Sequence, residues 1–171
     1  MTLQSCWEQL AAFGFETDKG SAHSYISVYE ALLAPYRDRP IRLLELGVLQ
    51  GASLSLWARY FARAEVIGVD FRLPVVTPRG ATVVIGDATV EQTFDGLGDF
   101  DIIIDDASHR VDEVGMSFHL LRGRVRPGGL YVIEDATLPV LNRMMMVAPF
   151  VEYDRRAIKG RFDARLLVWG N

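Results

Sequence analysis

Hydrophobic positions change period partway along the chain. Up to Pro40 they recur at helical spacing. Leu3, Trp7, Leu10 and Ala11 share one helical face, and Tyr25, Val28, Tyr29, Leu32 and Leu33 repeat the pattern in a second run that Ser21 can N-cap. The polar turn Glu16-Thr17-Asp18-Lys19-Gly20 separates the two runs. From Ile41 the chain turns to short apolar runs without alternation, at 41–47, 66–70, 81–85, 100–105 and 130–134. Helix-like stretches at 51–63 and 111–125 lie between them, the turn Pro127-Gly128-Gly129 precedes the fifth run, and 138–146 predicts one more helix. Residues 71–80, with Pro74 and Pro78, predict a loop, and 150–155 and 163–169 predict an antiparallel pair around Lys159-Gly160. Continuous apolar runs of this length suit parallel strands buried on both faces. The expectation is a doubly wound α/β domain: a mostly parallel, seven-stranded sheet with an antiparallel C-terminal strand, preceded by N-terminal helices.

Composition narrows this picture chiefly by exclusion. At 171 residues the chain can bury one hydrophobic core, so residues 1–171 are expected to form a single domain, with 1–40 as a helical lid on a core at 41–171. With 50% hydrophobic and 23% charged residues it is neither disordered nor fibrous. The longest uncharged stretch, 46–58, is too short to cross a bilayer, and the first residues lack the basic and apolar regions of a secretory signal. Cys6 is the only cysteine, which excludes a disulfide framework or a cysteine zinc site and fits a reduced helix residue in a cytoplasmic protein. A net charge of −4, with both signs interspersed, argues against a nucleic-acid partner.

Ligands of open parallel sheets bind at the carboxyl ends of the strands. Acids gather at those positions: Glu45, Asp70, Asp87, Asp105-Asp106 and Glu134-Asp135 each end or follow an apolar run. One such acid could simply cap the next helix. The recurrence at all five runs points to a shared cleft. The first turn carries Gly47, Gly51 and Ser53. Its Gly-x-x-x-Gly spacing is neither the dinucleotide fingerprint nor a phosphate loop, but it allows close backbone approach. Asp70, at the end of the second run, can accept the hydroxyls of a ribose.

Glu45-x-Gly47-x-x-x-Gly51-x-Ser53, Val69-Asp70, Gly86-Asp87, the block from Phe100 to His109, and Pro127-Gly128-Gly129-Leu130-Tyr131-Val132-Ile133-Glu134-Asp135 together resemble a class I S-adenosylmethionine methyltransferase. More narrowly they resemble the metal-dependent sugar O-methyltransferases of macrolide and related antibiotic biosynthesis. The stretch from Thr17 to Tyr25, followed by Tyr29, is similar to an N-terminal motif of that group. The resemblance implies a Rossmann-like class I methyltransferase fold, S-adenosylmethionine as methyl donor and Mg²⁺ as metal. Glu45, Gly47, Gly51 and Ser53 would shape the methionine pocket, Asp70 would hold the ribose, Asp87 and Ala88 would face the adenine, and Asp105 would lie near the methionine amino group. Tyr25 joins this cofactor-binding set. Asp106, Glu134 and Asp135 would bind the metal, with His109 as general base.

Such a set is chemically coherent. Three carboxylates suit a hard cation that leaves positions for substrate hydroxyls. An imidazole can take the proton of a hydroxyl that is otherwise a poor nucleophile. The implied acceptor is a sugar or glycosylated small molecule. A catechol-like acceptor, a catalytically inactive binding or regulatory protein on the same fold, and homo-oligomerisation stay open. Ala136-Thr137-Leu138-Pro139 replaces the polar and aromatic residues expected after the last motif, so the acceptor itself is not read. His23 is open between structural and functional roles. His119 reads as structural or surface, Met144-Met145-Met146 as core or an oligomer contact, and Arg155-Arg156 as a solvated turn.

Overall fold

The alternation hidden inside the apolar runs decides the architecture. In the computed structural model, which describes residues 1–171, the runs form β1 (Arg42–Leu46), β2 (Glu65–Asp70), β3 (Ala81–Ile85), β4 (Phe100–Asp105) and β5 (Val125–Ile133). Leu43, Ile102, Ile104 and Val132 point into one core, while Leu44, Leu46, Ile103, Tyr131 and Ile133 point into another. Both faces of each central strand are buried, so most positions carry an apolar side chain and the few acids need partners. β6 (Val151–Asp154) and β7 (Arg165–Gly170) complete one sheet of order β3-β2-β1-β4-β5-β7-β6. β1 to β5 pair in parallel, and β7 runs antiparallel to both β5 and β6. The doubly wound, mostly parallel seven-stranded sheet with a reversed C-terminal strand is therefore present.

Helices α1 (Leu3–Ala12), α3 (Ile26–Leu33) and α4 (Ala52–Tyr60) cover the first core, which includes Leu3, Cys6, Tyr29, Leu54 and Trp57. Helices α5 (Val111–Leu121) and α6 (Leu138–Val147) cover the second through Val114, Phe118, Leu121, Val140 and Met144. No helix is long and apolar enough to cross a membrane.

Three local expectations are corrected. Ser21 does not cap the second helical run. It ends a short helix, α2 (Asp18–Ser21), whose cap is Thr17, and Gly20 lies so close to the Trp7 indole that a Cβ there would collide with the ring. The Pro127-Gly128-Gly129 segment is not a turn before β5 but lies within it. Pairing passes from Phe100↔Val125 to Ile102↔Leu130, so residues 126–129 bulge out of register. Between β6 and β7 the chain makes one helical turn, α7 (Arg156–Lys159), before Gly160 reverses it in the left-handed region.

Phe118 anchors the second core. Its ring meets Tyr131 and Phe150 at centroid distances of 5.1 Å each and Trp169 at 5.6 Å, and it is fully buried. Phe118→Ala should cost about 3–5 kcal/mol by urea unfolding, the usual loss for an aromatic removed from a packed interior. A loss below ~1 kcal/mol would mean that this face can collapse around the gap.

Candidate functional site

A cavity of about 690 Å³ opens at the carboxyl ends of the parallel strands. Its lining includes Gly47 and Ser53 from the first turn, Asp70 after β2, Asp106 and His109 after β4, and Asp135 after β5. The N-terminal segment closes another side with Thr17, Asp18 and Lys19.

Gly47 and Gly51 both have positive φ, but the close approach they permit is made by the chain itself. A Cβ on Gly47 would strike the Asp106 carbonyl oxygen, and one on Gly51 would strike that of Val76. The glycines thus let the loops after β4 and β2 press against the first turn. Asp70 secures the same turn: its Oδ2 accepts from the amides of Val48 (2.8 Å) and Leu49 (2.9 Å), and its Oδ1 from Arg72. Burial works upward on its carboxyl, yet these amides hold it below the ordinary range.

Behind the cavity the sheet carries a second rank of acids. Glu45 is fully buried and accepts from Ser53 Oγ (2.8 Å) and Trp57 Nε1 (3.2 Å), and burial raises its pKa. Asp105 is buried against Tyr131, whose hydroxyl donates at 2.9 Å. Glu134 is buried with one oxygen facing the N-terminal segment.

That segment holds the cluster together. Lys19, itself 1% exposed, places Nζ 2.6 Å from Asp106 Oδ2, 2.8 Å from Glu134 Oε1 and 3.5 Å from Glu45 Oε1. Burial alone would depress its pKa, but the three carboxylates outweigh burial and hold the ammonium well above its ordinary value. Tyr29 donates to Glu134 Oε1 at 2.5 Å, and Tyr25 donates to Asp135 Oδ1 at 2.7 Å. His23 is buried with Nδ1 3.1 Å from Asp135 Oδ1 but out of hydrogen-bond alignment, and its Nε2 is 3.9 Å from Asp18. Asp135 has φ 51°, a left-handed conformation uncommon outside glycine, held by these contacts.

The donor set fits a hard cation. Ligand atoms of Asp106, His109 and Asp135 lie within 4.8 Å of one another. Glu134 stands outside that group, turned toward Lys19 and Tyr29. Each of the three carboxylates has one oxygen engaged from the N-terminal segment. No hydrogen bond reaches the other oxygen: Asp106 Oδ1, Glu134 Oε2 and Asp135 Oδ2. None of these three is among the sealed, partnerless polar atoms, which are His23 Nδ1 and Arg165 Nε.

Of the residues singled out from sequence, the structure gathers Gly47, Ser53, Asp70, Asp106, His109 and Asp135 around the cavity. Glu45, Gly51, Tyr25, Asp105 and Glu134 stand behind it or brace it, and Asp87 and Ala88 lie off its lining. There Asp87 accepts from the amide and hydroxyl of Thr89. Lys19 and the Tyr29 hydroxyl carry no role in the sequence analysis, although both lie in the N-terminal stretch that resembles the family motif. The available signal was a lysine in the polar turn and two tyrosines in the apolar helical run that follows it.

No family model matches the chain. Over 131 residues it is 40% identical to 8-demethyl-8-alpha-L-rhamnosyl tetracenomycin-C 2'-O-methyltransferase of Streptomyces olivaceus, covering 70% of this chain and 35% of that protein. Demethylmacrocin O-methyltransferase of Streptomyces fradiae is 38% identical over 128 residues, covering 68% and 32%. Among solved structures, the MycE methyltransferase of the mycinamycin pathway, in complex with Mg, SAH and mycinamycin VI, superposes with a TM-score of 0.69 at 34% identity. The match covers 76% of this chain and 36% of that one. The chain spans about a third of the length of the curated relatives it matches.

Burial pushes the Asp105 carboxyl up to about 7, against the pull of the Tyr131 hydroxyl. In the unfolded chain the same group titrates near ~3.9. Between those values the folded state holds a proton that the unfolded state lacks, so Asp105 makes stability fall as pH rises from about 4 to about 7. Asp105→Asn keeps an acceptor for Tyr131 and should flatten that part of the stability curve, measured by urea unfolding across pH. Parallel curves for the two proteins would contradict it.

Proposed function

We propose that this chain, a class I methyltransferase fold related in sequence to sugar O-methyltransferases of antibiotic pathways, is an O-methyltransferase that methylates a hydroxyl of a glycosylated small molecule. The methyl donor is S-adenosylmethionine. The observation that carries the reading is the meeting of Asp106, His109 and Asp135 in the cavity that also holds Asp70 and the first glycine turn. The acceptor class comes from the relatives' names, and the donor and metal from the complex of the solved neighbour.

In this reading Asp70, at the end of β2, faces the donor's ribose. Gly47, Gly51 and Ser53, with Glu45 beneath them, shape the methionine end. Asp105 stands near the amino group, Asp87 and Ala88 near the adenine, and Tyr25 braces the floor through Asp135. Asp106, Asp135 and Glu134 would hold Mg²⁺ through their uncommitted oxygens. When bound, that ion would stabilise the alkoxide character of the acceptor hydroxyl. His109, exposed at the cavity edge, takes the hydroxyl proton on its imidazole as the oxygen bonds to the methyl carbon. The carbon–sulfur bond breaks in the same step, and its electron pair stays on sulfur, leaving a neutral thioether. The rigid strand ends keep nucleophile, methyl and sulfur in line. Residues 1–40 act as the lid of a single domain. We place the reaction in the cytoplasm, where the buried Cys6 thiol stays reduced.

The test is methyl transfer to a rhamnosylated or other glycosylated acceptor. His109→Ala should lower turnover by ~10²–10⁴ while leaving the affinity for S-adenosylhomocysteine unchanged. Full turnover in that variant would remove His109 as the base. Chelator-stripped protein should lose methyl transfer and regain it with Mg²⁺, and full activity without metal would refute the metal assignment.

A further inference from the structure

One oxygen of each proposed metal carboxylate is already taken, and always from the same segment. Lys19 holds Asp106 Oδ2 at 2.6 Å, Tyr29 and Lys19 hold Glu134 Oε1 at 2.5 and 2.8 Å, and Tyr25 holds Asp135 Oδ1 at 2.7 Å. Lys19, Tyr25 and Tyr29 are all essentially inaccessible to solvent, so water cannot readily replace them as partners. A carboxylate with one oxygen locked into a buried hydrogen bond can offer a cation only the other.

Mg²⁺ takes six ligands in near-ideal octahedral geometry, usually single oxygens together with waters. Ca²⁺ takes six to eight ligands at longer distances and commonly draws on bidentate carboxylates. We infer that Lys19, Tyr25 and Tyr29 form a clamp that keeps Asp106, Asp135 and Glu134 one-toothed, and that this clamp sets the preference of the site for Mg²⁺ over Ca²⁺. The inference rests on the metal site proposed above. It assigns the N-terminal segment a role in ion selection through its contacts with the carboxylates.

Tyr25 is the most direct handle. Its ring stacks on His23 at 5.2 Å, and Tyr25→Phe keeps that ring while releasing the hydrogen bond on Asp135 Oδ1. Tyr29→Phe keeps the ring that packs edge-on to Trp57 at 5.2 Å but releases only part of the hold on Glu134 Oε1, because Lys19 stays 2.8 Å away. Tyr36→Phe serves as a control, because the Tyr36 hydroxyl donates to the Gly128 carbonyl and not to a carboxylate.

The experiment is calorimetric titration of the full chain with MgCl₂ and, separately, with CaCl₂, with no donor or acceptor present. Thermal melting confirms that each variant is folded. The ratio of Ca²⁺ to Mg²⁺ affinity should rise about tenfold in Tyr25→Phe, as the second oxygen of Asp135 becomes available to the larger ion, rise less in Tyr29→Phe, where Lys19 still holds Glu134 Oε1, and stay at the wild-type value in Tyr36→Phe. Mg²⁺ binding by wild type with an unchanged ratio in both folded variants would overturn the clamp and leave the metal site standing. Absence of Mg²⁺ binding by wild type would overturn the metal site and the clamp with it.

Discussion

A parallel sheet that ends several strands in carboxylates must offset their mutual repulsion, and here one ammonium does so. Lys19 Nζ lies within 3.5 Å of Glu45, Asp106 and Glu134, in a place that solvent does not reach. Removing one partner of a buried charge cluster typically costs 3–5 kcal/mol, because the remaining charges are left without compensation. The position of Lys19 depends on α2, on Thr17 at its cap and on the absence of a side chain at Gly20 beside Trp7. The ends of β1, β4 and β5 are thereby joined to a segment more than eighty residues away from Asp106 in sequence, as the 87-residue separation of Lys19 and Asp106 makes plain. Fold and site meet in that contact: α2 sets Gly20 against Trp7 at the border of the first core and carries the Lys19 that fixes the acids at the strand ends.

The strands and their acids were legible in the sequence because both obey local rules. Apolar runs such as Ile102-Ile103-Ile104 can only be satisfied between two cores, and an acid at a strand end stands out against such a run. Asp106 and Asp135 stood out in this way, and His109 through the family resemblance, although their meeting depends on the sheet order that sets β4 beside β5. What escaped was long-range or depended on backbone detail. A lysine within a polar turn looks solvated until the sheet end that buries it is known, and a tyrosine at helical spacing looks like core until its hydroxyl finds Glu134. The Pro127-Gly128-Gly129 triplet carries turn chemistry, but pairing with β4 on both sides of it keeps it within a strand as a bulge. Glycines expected to admit a ligand instead admit the carbonyls of Asp106 and Val76, a close approach of the same kind by a different neighbour.

The division between a rigid floor and an open rim follows from the same physics. Floor residues are tied by buried hydrogen bonds among Glu45, Ser53, Trp57, Asp105 and Tyr131. At the rim, Leu49 and Val75 are 83% and 84% exposed beside the same cavity, on loops without strand or helix structure. Residues that act on a donor common to many reactions belong on the floor, whereas those that choose an acceptor belong on loops that can vary without disturbing it. The proposed acceptor class rests on the relatives' names, and the proposed donor and metal on the complex of the solved neighbour.

The central claim is that this cavity is built for the methyl donor, and equilibrium binding tests it most directly. Calorimetric titration of the full chain with S-adenosylhomocysteine, in buffer containing Mg²⁺, should give saturable binding at micromolar strength, with no comparable heat from NAD under the same conditions. Preferential binding of NAD, or no binding of S-adenosylhomocysteine by the folded protein, would contradict the account and favour a methyltransferase fold that serves another purpose.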